Sequence, residues 1–301
     1  MGFTLVINGK ISDRKKIFIW TAEEGEFCLW KVRINIGSII TEFMFCPALC
    51  IGDLKSSLCH RYKHFITDSE PDITYLVFPE KTKKHIKKVS VVQSEKNLQI
   101  SRYDFYSETD FKRKSGVVRI RYNQFSFDSF IRILYSCLIL RKGGILLHAS
   151  AGVFSKGGII FPGRTGAGKT TIVQQFINSK VINDEIIGLR KIDNNFIVFS
   201  TPFWGSGGKF LAEKGYIRNC KLMCICFPVK SDKLNFELIS PKKSLEKLMQ
   251  TVLYFGDSRF YIQRILEILY KVTKNTKSYQ MKFYPAKDLY KKIYYGIQNI
   301  R

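Results

Sequence analysis

Residues 163–170 read Gly163-Arg164-Thr165-Gly166-Ala167-Gly168-Lys169-Thr170, a complete G-x-x-x-x-G-K-[ST] run. In such a loop successive backbone N–H groups turn inward and, with the dipole of the helix behind them, hold polyphosphate. The spacing predicts Lys169 on the β- and γ-phosphates and the Thr170 hydroxyl on Mg²⁺, with Gly163 through Thr171 forming the cradle. An apolar strand, Gly158-Ile159-Ile160-Phe161, feeds the loop, and residues 171–177 leave it with helical spacing. The chemistry implied is nucleoside triphosphate binding, with ATP and Mg²⁺ as cofactors.

Two flanking segments add reactive groups. Upstream, Ile145 to Phe154 reads as a strand, and Ser155-Lys156-Gly157-Gly158 as the turn of a hairpin. A turn centred on Lys156 and Gly157 sets Phe154 against Ile159 and Gly152 against Phe161. It brings His148, one of 4 histidines, level with Thr165 in the loop. Downstream, Lys180 to Ile187 is a short apolar strand broken by Asp184 and Glu185. An acid at a strand end beside a phosphate loop is a metal anchor, or a base for an attacking hydroxyl. Asp184, His148 and Lys169 are therefore the candidate catalytic residues, and Thr170, Asp184 and Glu185 the candidate metal ligands.

Phe127-Asp128-Ser129-Phe130, the run from Gly143 to Ser150, the loop, Asn183-Asp184-Glu185 and Ser200-Thr201-Pro202-Phe203-Trp204-Gly205 together resemble the HPr kinase-related proteins. These share the phosphoenolpyruvate-carboxykinase type of nucleotide fold. The resemblance implies an ATP-dependent kinase acting on a serine hydroxyl of a protein or peptide, with Asp184 as base and Glu185 as metal partner. The acid pair in such kinases is commonly Asp-Asp. Glu185 departs from that, and its extra methylene leaves the division of roles between the two carboxylates open. His148 would position the acceptor or the phosphoryl oxygens. Ser200 to Gly205 would line the site, with Trp204 either a wall for ligand or plain core. A kinase for a small-molecule hydroxyl, such as a free amino acid, and a non-catalytic ATP-binding regulator are the rival readings.

The elements that must carry these groups divide the chain. Up to residue 124 it reads as a β-rich domain: Phe3–Asn8, Ile17–Thr21, Phe27–Ile36, Ile39–Phe45, Ile73–Phe78 and Val117–Tyr122 are β-branched or aromatic runs. Gly52-Asp53 reads as a turn. Residues 125–301 read as the catalytic domain, opened by an amphipathic helix over Phe127–Arg141 that ends at Gly143. Strands follow at Asn195–Ser200, Leu222–Val229 and Tyr279–Tyr284, and helices at Leu245–Phe255, Phe260–Val272 and Ala286–Ile297. The class is mixed α/β: a β-rich unit joined to a P-loop nucleotide domain.

Composition bounds the setting. No apolar run in the 301 residues reaches membrane-spanning length, and no signal-peptide or myristoylation pattern stands at Met1, so a cytoplasmic protein is expected. The net charge of +24 is scattered over pairs such as Lys83-Lys84 and Lys242-Lys243. It fits solvated lysine faces or attraction to an acidic partner; no nucleic-acid motif accompanies it. Homo-oligomerisation is left open. Cys137, Cys220, Cys224 and Cys226 read as buried free thiols of a reducing compartment. Cys46, Cys50, Cys59, His60 and His64 have zinc-ligand chemistry at a spacing that matches no finger pattern.

Overall fold

A computed structural model describes residues 5–11, 14–20, 30–46, 51–80, 88–154, 157–164, 166–176, 180–205, 219–286 and 288–299. The chain is mixed α/β. Its first strands, β1 (Leu5–Ile11) and β2 (Arg14–Trp20), form an antiparallel hairpin. β3 (Trp30–Ile36), β4 (Ile39–Phe45), α1 (Asp53–Tyr62), β5 (Ile73–Pro79), β6 (Ser90–Gln93), β7 (Asn97–Arg102), β8 (Phe105–Asp110) and β9 (Ser115–Ile120) follow. These strands make a 7-stranded sheet in the order β3-β4-β5-β9-β8-β7-β6. Gly52 turns the chain, as expected, into helix α1, which the sequence does not announce. It buries Leu54, Leu58 and Tyr62, spaced at the period of a helix face. The meander β6–β8 is not predicted from sequence, because its runs are short and, Val92 apart, its outward residues are polar or only partly exposed.

Helix α2 (Gln124–Arg141) joins the two halves. The Asn123 side chain accepts from the Ser126 N–H and caps its start. Beyond its C-terminus Gly143 takes φ 77, the left-handed turn expected there. The helix is less amphipathic than expected: from Phe130 to Leu140 every residue is buried except Arg132. A helix apolar on all sides needs cover on all sides. Here one face meets the first sheet, with Phe127 against Phe43 at 5.3 Å between ring centroids. The same apolar cluster extends to Leu146, Ile186 and Phe199 of the second sheet.

That sheet contains β10 (Gly144–Phe154), β11 (Gly157–Pro162), β12 (Val181–Asn183), β13 (Ile186–Ile192), β14 (Asn195–Phe199), β15 (Asn219–Lys230), β16 (Asn235–Leu238) and β17 (Ser278–Phe283). Its order is β11-β10-β13-β14-β15-β17-β16, β12 pairs with β10, and a parallel β11–β15 pairing closes part of it on itself. Helices α3 (Lys169–Gln174), α4 (Pro241–Met249), α5 (Arg259–Asn275) and α6 (Leu289–Asn299) complete the fold. Helix α4 starts and ends earlier than the predicted 245–255. Ser240 caps it with Pro241 in the first turn, and residues beyond Met249 peel away to bond strand β10. No described helix is long and apolar enough to cross a membrane.

Cys137, Cys224 and Cys226 are buried free thiols and Cys220 is half-buried; burial pushes the Cys137 thiol up to about 12. Cys59 and His60 lie exposed on α1, while Cys50 falls outside the described residues. Among the described residues no three His, Cys, Asp or Glu converge on a metal position.

Tyr135 ties α2 to the first sheet. Its hydroxyl donates to the Ile34 carbonyl at 2.7 Å and lies 2.7 Å from Thr41 Oγ1. Tyr135→Phe strips both buried partners of their bond and should cost about 1–3 kcal/mol. Urea unfolding checks this; an unchanged midpoint would show that the hydroxyl contributes nothing.

Candidate active site

Strand β10 organises the site because it is bonded on both edges. On one side it pairs with β11 from Ala149↔Pro162 to Phe154↔Gly157. The hairpin loop is thus residues 155–156, which lie outside the described residues, and the register differs by two from the sequence expectation. His148 comes level with Gly163, not Thr165, and its carbonyl accepts the Gly163 N–H at 3.2 Å. A shift of two keeps every side chain on its face, so the loop still meets the histidine. On the other side β10 pairs with β12 through Ala151↔Asn183 and with β13 through His148↔Ile186. The chain breaks from β12 to β13 at Asp184 and Glu185, and Ala149 donates its N–H to the Glu185 carbonyl at 2.9 Å. One position on β10 therefore has the phosphate loop at one hand and the acid pair at the other. The His148 N–H itself donates to the Thr251 carbonyl at 2.7 Å, from the segment released by α4.

The loop folds as its glycines require. Gly168 has φ 90, and a Cβ there would sit 2.4 Å from Phe283 Cζ. Only glycine fits both conditions. Lys169 is 7% exposed, and its ammonium donates to the carbonyls of Gly163 at 2.8 Å and Arg164 at 3.0 Å. Burial lowers its pKa, and the nearby carboxylates of Glu185 and Asp184 oppose that. Helix α3 begins at Lys169, so Thr170 and Thr171 lie in its first turn. It ends at Gln174, short of the expected 177, which lies outside the described residues, as does Thr165.

The acid pair is held by a side chain that sequence reasoning left without a role. Asn183 is fully buried. Its Oδ1 accepts the N–H groups of Glu185 at 2.9 Å and Ile186 at 3.2 Å, and its Nδ2 donates to the Thr201 carbonyl at 2.8 Å. Thr201 in turn donates its hydroxyl to the Ile186 carbonyl at 2.6 Å. An asparagine accepting from the backbone two residues on is an Asx turn, and its signal is Asn at a break between apolar runs. Asp184 is 3% exposed, and its Oδ1 accepts the Gly205 N–H at 3.0 Å. Gly205 brings the main chain against both acids: a Cβ there would lie 3.2 Å from Glu185 Oε2 and 3.3 Å from Asp184 Oδ2. Trp204 donates its indole N–H to the Thr201 carbonyl and packs against two apolar clusters. It is a wall behind the acid turn.

His148 Nε2 lies 3.8 Å from Glu185 Oε1, and its side chain is 30% exposed. The Glu185 carboxylate is thus within ion-pair distance of the ring. Burial, then the Lys169 charge, hold the imidazole below its ordinary pKa of 6.5 and outweigh the pull of Glu185. The pair is a neutral ring beside a carboxylate rather than an ion pair. Its Nδ1 is buried with no hydrogen-bond partner among the described residues.

The residues present fit Mg²⁺ and a triphosphate. Two adjacent carboxylates stand within electrostatic reach of the desolvated lysine of the loop. Magnesium keeps several waters and binds through one or two carboxylates plus phosphates, so two protein acids and a hydroxyl suffice.

No protein-family model and no curated protein matches this chain. Among solved structures it is similar to the HPr(Ser) kinase/phosphatase from Coxiella burnetii, at 15% identity and a TM-score of 0.30, over 51% of this chain and 94% of that one. A likeness so slight supports neither the fold nor the chemistry, which rest on the geometry above.

Two tests follow from these contacts. Asn183→Ala leaves two N–H groups and a carbonyl without their buried partner and should cost about 1–3 kcal/mol. Equal urea midpoints would mean that the turn holds itself. Because the folded imidazole has the lower pKa, the unfolded chain takes its proton first as pH falls below 6.5, so stability is lost on acidification. His148→Asn should flatten that acid-side loss; an unaltered slope between about pH 5 and 7 would assign it elsewhere.

Proposed function

We propose that this protein is an ATP-dependent kinase that transfers the γ-phosphate to a hydroxyl, a serine hydroxyl of a protein or peptide. The observation that carries the reading is the crossing at His148, where the loop bearing Lys169 and the turn bearing Asp184 and Glu185 meet across one strand. Catalysis is assigned to residues 125–301. Residues 1–124 are assigned to the β-rich unit, whose strands β3 to β9 share the α2 core.

Mg·ATP, when bound, supplies the phosphoryl group and the charge that balances it. Gly163 to Thr171 would cradle the phosphates, with Lys169 turning from its own loop carbonyls to phosphate oxygens. Thr170 and Glu185 would hold the metal. Asp184, oriented by the Gly205 N–H, takes the proton of the acceptor hydroxyl. Neutral His148 can donate or accept one hydrogen bond beside it and so orients the acceptor or a phosphoryl oxygen. Trp204 and the buried Phe203 exclude water from one side.

Label transfer from radioactive ATP to serine peptides and to free serine tests the reading. Lys169→Ala should lose about 2–4 kcal/mol of transition-state stabilisation with the fold retained. Asp184→Asn should keep ATP binding and slow transfer by about 10²–10⁴-fold. Glu185→Gln should instead raise the Mg²⁺ concentration needed. Near wild-type transfer by the lysine variant would remove the loop from catalysis. Identical behaviour of the two acid variants would sink their division of roles.

A further inference from the structure

Arg132 is the exception in the buried stretch of α2. It stands one helical turn beyond Asp128, whose carboxylate is already engaged. The Tyr62 hydroxyl donates to Asp128 Oδ1 at 2.6 Å, and Arg61 Nε lies 3.0 Å from Oδ2. Arg132 has no such partner. Among the described residues its guanidinium makes no hydrogen bond or ion pair, and its Nε is buried. Its charge meets an aromatic face instead: the guanidinium carbon lies 5.6 Å from the centroid of the Phe203 ring. Phe203 belongs to the turn whose Gly205 N–H holds Asp184.

A half-buried guanidinium without an anion carries an unrecovered desolvation cost. Its planar fork matches a carboxylate through two parallel N–H bonds. Its place along the site is given by the aromatic ring: Phe203 lies two residues before Gly205, so the guanidinium sits beside the turn that holds Asp184. The net charge of +24 favours an acidic molecule approaching it.

We infer that Arg132 is a specificity residue that binds a carboxylate of the phosphate acceptor, set beside the hydroxyl to be phosphorylated. This rests on the kinase reading above. Such a carboxylate could belong to an acidic peptide or to a free hydroxy amino acid, and the test separates them.

Phenylglyoxal modifies arginine, and the mass of the peptide containing Arg132 reads the modified fraction. The probes are a serine peptide pool flanked by Asp and Glu, the same pool flanked by Asn and Gln, L-serine, L-serinamide, and Mg·ATP alone. The acidic pool or L-serine should slow modification of Arg132 by about 10-fold, the worth of one charge-assisted pair, while the amide counterparts leave it unchanged. Whichever carboxylate source protects identifies the acceptor class. Equal protection by acid and amide, protection by neither, or protection by Mg·ATP alone overturns the inference. Arg132→Gln should keep the calorimetric affinity for Mg·ATP and lose the acid-over-amide preference in label transfer, and Arg132→Lys should keep part of it. A failed kinase reading looks different: no probe is labelled, while protection of Arg132 still answers the question of the carboxylate.

Discussion

Strand β10 cannot move without moving everything reactive in this protein. Its left and right neighbours are fixed by main-chain hydrogen bonds to the same short stretch, His148 and Ala149. Side chains can drift with rotamer changes, but a ladder bonded on both edges sets distances through the rigid peptide unit. The phosphate loop and the acid turn are far apart in chemical role and near in space for this reason. The burial of the strand follows from the same constraint. A strand paired on two edges and covered on both faces has to be apolar, and Ile145, Leu146, Leu147, Ala149 and Ala151 are buried. His148 and Ser150 are the polar residues inserted into that run, and the Ser150 hydroxyl donates to the Lys169 carbonyl at 3.4 Å.

The electrostatics are consistent with that placement. A lysine, a histidine and two carboxylates gathered in a poorly solvated space perturb one another more than they would in water. Burial holds both the imidazole and the ammonium below their ordinary pKa, and the acids opposite offset only part of that. Helix α2 contributes from behind. It packs the two sheets into a common apolar cluster and carries Arg132 toward the site on the same surface. The β-rich half is thereby coupled to the site through a helix that neither sheet could leave exposed.

The candidate groups stand out in the sequence because each lies within a few residues: the loop, the histidine strand and the Asp184-Glu185 break. What was not legible depends on pairing. The hairpin register was off by two because a two-residue loop and a longer one differ by no apolar residue that would betray them. The bond between Asn183 and Thr201 is not legible because an Asx turn is recognised by what its side chain bonds to, and Thr201 lies on the far side of a hairpin. Arg132 is, in sequence, a charge within the apolar run from Ile131 to Leu140. Its isolation is visible only where Tyr62 and Arg61, from a helix the sequence does not announce, occupy Asp128. Strands β6 to β8 are hidden because their runs are short and, Val92 apart, their outward residues are polar or only partly exposed.

The loop around Lys169 is closed upon itself. Lys169 gives its ammonium to two carbonyls of the segment it is meant to serve. Occupancy is then an exchange of acceptors rather than the filling of an open hand. A ligand with one phosphate offers the lysine little more than the two carbonyls already do. A chain of phosphates offers several charged oxygens at once, and these are the stronger acceptors. On the proposed function, the loop would sort ligands by how much negative charge they bring, before any group on them is recognised by shape.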